Sequence, residues 1–162
     1  MDPTSENIAA ELARRHRAAS RTVLGLIVAA LLLSVVAFLS KNFLTQRNNP
    51  SVDIGVRITI LILGLGSIAW RRTKFSSMRL QDIGALQGGL GLLLTLENTT
   101  VQIGFLGAGI ALIGFVATLM TGNDLYTYWA AAISLVVLVY CYPTKSSWSR
   151  TVERFSETPP SN

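Results

Sequence analysis

Apolar and polar positions fall in long blocks along this chain, not in the two-residue rhythm of strands. Residues 22–40 hold 19 positions without a charge, and residues 101–120 hold 20. At about 1.5 Å of rise per residue, each run is close to the ~30 Å hydrocarbon core of a bilayer. Residues 54–70 form another such run, entered by Arg57 near its start and closed by Trp70. Residues 125–142 form the last, with Tyr126, Tyr128 and Trp129 at one end and Tyr140 and Tyr142 at the other. Aromatic residues placed this way sit at headgroup depth. The pattern predicts an all-α integral membrane protein of four transmembrane helices, paired as two hairpins.

The breaks between the runs define the connections. Residues 1–21 are a polar, basic segment, helical over 9–21. Basic residues ahead of an apolar run also suit a signal peptide. The run is longer than a usual signal core of about 7–15 residues, so an uncleaved anchor is expected. Residues 41–53 read as a polar loop. Asn48, Asn49, Pro50 and Ser51 carry turn chemistry there, and Ser51 or Asp53 can cap the next helix. Thr121, Gly122, Asn123 and Asp124 form a tight turn between the last two spans. Pro143 ends the fourth, and residues 143–162 read as a polar tail. Residues 80–98 fit neither class. They are apolar but include Asp82 and Gln87, and their uninterrupted core, 88–96, is too short to span. They are expected to be an interfacial helix or an extension of the third span.

Charge then orients the whole. Half the 162 residues are hydrophobic and 14% are charged, against about 25% in soluble domains. The net charge is +5. The basic residues flank the apolar runs, which points to membrane orientation and not to nucleic acid. With both termini cytoplasmic, inside segments hold Arg14, Arg15, Arg17, Arg21, Arg71, Arg72, Lys74, Arg79, Lys145, Arg150 and Arg154. Outside segments hold only Lys41, Arg47 and the boundary Arg57. That asymmetry predicts a multi-pass protein of a cell (inner) membrane with cytoplasmic N and C termini.

Chemistry-bearing residues are few. Gly84/Gly88, Gly104/Ala108 and Gly107/Ala111 are small residues four apart, and Gly114 extends the face of Gly107. Such spacing lets helix backbones approach closely, within the chain or with another subunit. Glu97 is flanked by apolar sequence on both sides. It could line a polar or ion site with Gln102, and Arg57 is a further intramembrane charge. The competing reading puts Glu97 at the headgroup boundary, capping the third span, and Arg57 in an anchor or an ion pair with Asp53. His16 reads as part of a solvated basic face. Cys141, the single cysteine, reads as a buried small hydrophobe.

Asn98, Thr99 and Thr100, the glycine-rich run 104–114, the turn at 121–124 and Tyr142-Pro143 followed by basic residues carry a resemblance over residues 79–148. This stretch resembles a family of small bacterial membrane proteins that is itself superficially similar to the proteolipid (c) subunits of rotary ATPases. The resemblance implies a helical hairpin in the membrane. In proteolipid subunits a mid-membrane carboxylate carries the ion; here residues 107–111 and 125–142 contain no acid. One cysteine excludes quinone-linked disulfide exchange. The absence of acid in residues 22–40 excludes the small multidrug exporters. Scattered aspartates and a histidine outside the spans argue against phosphotransfer and intramembrane proteolysis. No catalytic set, cofactor site or metal site is expected. The expected role is a structural, accessory or self-associating subunit that meets the lipid bilayer and another membrane subunit or itself. The alternative is a small oligomeric channel or transporter using Glu97 and Arg57.

Overall fold

The structure, a computed structural model, describes residues 3–40 and 50–156. The loop read at 41–49 and the last residues of the tail lie outside the described residues. Five helices follow in order: α1 (Pro3–Ser40), α2 (Pro50–Lys74), α3 (Ser77–Thr121), α4 (Leu125–Tyr140) and α5 (Lys145–Ser156). No strand occurs among the described residues. Three stretches are long and apolar enough to cross a membrane: Asn7–Ser40, Asp53–Lys74 and Leu80–Thr121. The fourth candidate is Leu125–Tyr140 taken with Lys145–Arg154, across a bend of 46°.

The basic segment and the first span are one helix. α1 has 38 residues, about 57 Å of rise. Its inner face runs Leu12, His16, Ala19, Val23, Leu26, Ala30, Leu33, Ala37, in alternating steps of four and three. Leu12, Ala19, Val23, Ala30 and Ala37 on this seam are buried, and the other three are half-buried. That spacing is the one that keeps a helix face turned to a neighbour along its whole length.

α3 joins the ambiguous residues 80–98 to the third span in a helix of 45 residues. It is interrupted only at Gly88, where φ is 64° and ψ is −170°. A side chain with a Cβ is excluded from that conformation. Gly91 serves the same break, because a Cβ there would run into the side chain of Gln87. Gly88 is exposed and a Cβ on it would meet nothing within 4 Å. Gly88 thus sets the backbone of the break, and among the described residues no side chain of another helix stands within 4 Å of a Cβ built on it.

α3 contacts α1, α2, α4 and α5. Among the described residues, α1 and α2 each pack on α3 and α4 but not on each other. The expected pairing of the first two spans is thus corrected. α3 and α4 form the one hairpin, and α1 and α2 flank it separately. Both turn their small faces to it: Ala30 and Ala37 from α1, Gly64 and Ser67 from α2. The hairpin is tight. Gly114 lies against Ala130 and the Tyr126 carbonyl, and Gly107 against Leu138 and Val137. Gly122 closes α3 at φ 73°, its N–H bonded to the Thr118 carbonyl at 2.7 Å. The Asn123 side chain accepts from the Leu125 N–H at 3.1 Å.

Two cores result. One joins Ile60, Ile103, Ile110, Ala130, Val137 and Cys141 within the apolar runs. The other joins Leu12, Ala19, Leu80, Leu92, Leu93, Leu96, Trp148 and Val152, from α1, α3 and α5. Phe75 packs against both. The tail read as polar beyond Pro143 is corrected by this second core. α5 buries Trp148 and Val152, one turn apart on its inner face.

The hairpin yields a stability prediction. Gly114→Ala forces a methyl into Ala130 and should cost about 1–3 kcal/mol. Gly109→Ala should be near neutral, since nothing stands within 4 Å of its Cβ position. Unfolding in mixed micelles measures both, and equal effects would count against the packing described.

Candidate functional site

The polar side chains gather at the two ends of the apolar layer. At the first end, α1 and α3 run parallel. Val23 and Leu26 cover Gly104, and Leu12 packs among Leu92 and Leu93. This register brings Arg15 to Glu97. The Arg15 Nη1 donates to Glu97 Oε2 at 2.7 Å, and its Nε donates to Glu11 Oε1 at 2.6 Å. Arg14 adds a contact to Glu11 at 3.0 Å. Arg15 and Glu97 are 20% and 24% exposed, enough burial for the pair to hold its geometry.

Burial opposes charge on Glu11, but the hydrogen bonds and charges of Arg14 and Arg15 together hold its carboxyl below the ordinary value. Burial likewise works against the Arg15 cation, and Glu97 and Glu11 raise its pKa above the usual one. For Glu11, a lowered folded value means stability present above the ordinary glutamate pKa of about 4.3 and lost as pH falls through the folded value.

Neighbouring contacts tie the same end to α5 and α2. The His16 Nε2 bonds to the Pro143 carbonyl at 2.9 Å, and its ring meets Trp148 edge-on at 5.7 Å. His16 is part of the inner seam, not of a solvated face. Ser20 and Tyr142 share a hydrogen bond of 2.6 Å. Arg71 donates to the Tyr140 carbonyl and lies over the rings of Tyr140 and Phe75, at 4.5 and 5.5 Å. A cavity of about 70 Å³ remains between Arg71, Thr100, Cys141, Ser147 and Trp148.

At the opposite end, Arg57 donates to Asp53 at 3.0 Å, and the Tyr126 hydroxyl donates to the same carboxylate oxygen at 2.7 Å. Between the ends, the polar contacts are those of small hydroxyls. Ser67 donates to the Leu63 carbonyl at 2.7 Å, while nearer the turn at Gly122 Thr127 donates to Thr118 at 2.8 Å.

The residues read as a polar or ion site do not converge. Glu97 is held by Arg15, and Arg57 by Asp53 at the far end of α2. Gln102 is exposed in an apolar groove of about 550 Å³ with Leu63, Trp70, Phe105 and Leu106. Glu97 caps no helix, because α3 runs through it. The small residues are placed mainly inside: Gly84, Gly104, Gly107, Ala111 and Gly114 are buried, Ala108 is half-buried and Gly88 is exposed. Among the described residues no three His, Cys, Asp or Glu side chains are arranged to hold a metal ion. Sequence reading missed Arg15 as the partner of Glu97 and Trp148 as a core residue. The alternating four-and-three spacing on α1 was the available signal. No protein-family model, curated protein or solved structure matches this chain.

The pair is testable by a double-mutant cycle. Arg15→Gln and Glu97→Gln should each lower the unfolding midpoint, with a coupling energy of about 1 kcal/mol. The double variant should cost less than the sum of the two. Strict additivity would show that the two side chains do not interact.

Proposed function

We propose that this chain is a four-span protein of a bacterial inner membrane, with both termini cytoplasmic, serving as a structural or accessory subunit. It joins another membrane subunit or a second copy of itself through helix faces, and performs no catalysis. Eleven basic residues on one side against three on the other support the orientation.

The observation that carries the reading is where the small residues point. On α3, Gly84, Gly104, Gly107, Ala111 and Gly114 are covered from within. On α2, Gly55, Thr59, Ile62, Gly66, Ala69 and Thr73 follow one another in alternating steps of four and three, and all are exposed. A Cβ at Gly55 or Gly66 would meet nothing within 4 Å. Lipid does not require such a smooth face; a closely approaching helix does. Transport has less support. Glu97 and Arg57 are each neutralised by a partner of their own chain, at opposite ends of the apolar layer. Among the described residues, no charged side chain lies on the buried faces between them.

Gentle affinity purification from the native membrane, with intact-mass measurement, tests this. The wild type should carry a companion or a second copy. Gly66→Leu should weaken that association about ten-fold or more, while Val139→Leu on the exposed side of α4 leaves it intact. A wild-type protein recovered only as a lone monomer would end the reading.

A further inference from the structure

The outward face of α1 repeats the spacing of its inner seam. Arg14, Arg17, Arg21, Leu24, Val28, Leu31 and Val35 succeed one another in steps of three and four. All seven are exposed. The face is cationic at one end and apolar for the rest, with no residue of mixed character between. Arg14, Arg17 and Arg21 line an open pocket of about 300 Å³ whose floor is Ala18.

Three guanidinium groups within two helical turns repel one another unless an anion lies between them. Among the described residues, the carboxylate paired with this cluster is Glu11. It is 3.0 Å from Arg14 but is shared with Arg15, which also holds Glu97. Arg17 bonds the Ala13 carbonyl through Nε at 3.2 Å, which fixes its stem along α1. His16, Ala19 and Ser20 face the opposite way, toward α5 and Tyr142. Among the described residues, the pocket therefore has positive charge, room, and no paired anion beyond Glu11.

We propose that this face binds one anionic phospholipid, with its phosphodiester among Arg14, Arg17 and Arg21 over Ala18. Its acyl chains lie along Leu24, Val28, Leu31 and Val35. Guanidinium groups suit phosphate because their paired N–H donors match its oxygens. The lengths agree as well. From Leu24 to Val35 the helix rises about 16 Å, close to one leaflet of a ~30 Å hydrocarbon core. The inference rests on membrane insertion and not on the association proposed above, so either can fail alone.

Native mass spectrometry of the detergent-purified full chain, with phosphatidylglycerol or phosphatidylcholine added, tests it. The wild type should retain one phosphatidylglycerol in preference to phosphatidylcholine. Arg21→Gln should weaken retention about five-fold, and Arg14→Gln/Arg17→Gln/Arg21→Gln considerably more. Arg72→Gln/Lys145→Gln/Arg150→Gln removes the same charge elsewhere and should bind as the wild type does. If the triple variant at the site fails to fold, the single Arg21→Gln gives the same reading. Equal losses in the two triple variants would reduce the effect to net charge and overturn the site. Equal retention of phosphatidylcholine would overturn it as well. Soluble glycerophosphate binding as tightly as the lipid would assign the pocket to free phosphate and overturn the lipid.

Discussion

Everything in this fold depends on how closely the other helices of the chain can approach α3. In lipid there is no gain from hiding apolar side chains from water, so helices associate through contact distance and through polar groups at their ends. α3 meets that demand by omitting side chains where neighbours cross. Gly104 receives Val23 and Leu26 of α1, Gly107 receives Val137 and Leu138 of α4, and Gly114 receives Ala130. α2 contributes the reciprocal device. Its Gly64 lies under Ile133 of α4, where a Cβ would stand 2.6 Å from Cγ2. One helix thereby contacts every other, and α1 and α2 need not meet.

Polar contacts then fix register at each boundary. Arg15 with Glu97 sets α1 against α3. Arg71 on the Tyr140 carbonyl and Tyr126 on Asp53 set α2 against α4 at its two ends. α4 itself has 16 residues, about 24 Å of rise, shorter than a usual span. The chain bends after it at Tyr142 and Pro143, where proline cannot continue a helix. The bend frees the Pro143 carbonyl, which His16 occupies, and directs α5 back onto α1 and α3. The second core is the consequence. It stabilises the ends of α1 and α3 that extend past the apolar layer.

Much of the helical layout was legible because long apolar runs without charge have few other readings. Residues 22–40 and 101–120 fall inside helices long and apolar enough to cross a membrane. The turn at Gly122 was legible too, since a glycine that can take the left-handed conformation is followed there by Asn123 and Asp124, both suited to turns. What escaped was pairwise. Nothing in the composition of residues 80–98 separates an interfacial helix from an extended one; the difference rests on the backbone at Gly88. Small residues four apart show that a close approach is possible but not which helix makes it. Gly107 and Gly66 look alike in sequence and face opposite ways in the fold. Glu97 and Arg15 are 82 positions apart, so only the parallel register of α1 and α3 reveals them as partners. Trp148 sits among serines and basic residues. Its burial follows from α5 docking, which local polarity conceals.

The central claim is that the glycine face of α3 is filled by this chain's own helices. Cysteine pairing in native membranes tests it most directly, using Gly107→Cys with Leu138→Cys in a Cys141→Ser background. Oxidation should close a bond inside one chain, leaving the mass of a monomer with altered mobility. A product of twice the mass, formed through Gly107→Cys alone, would show that the face meets a second copy and would contradict the fold described here.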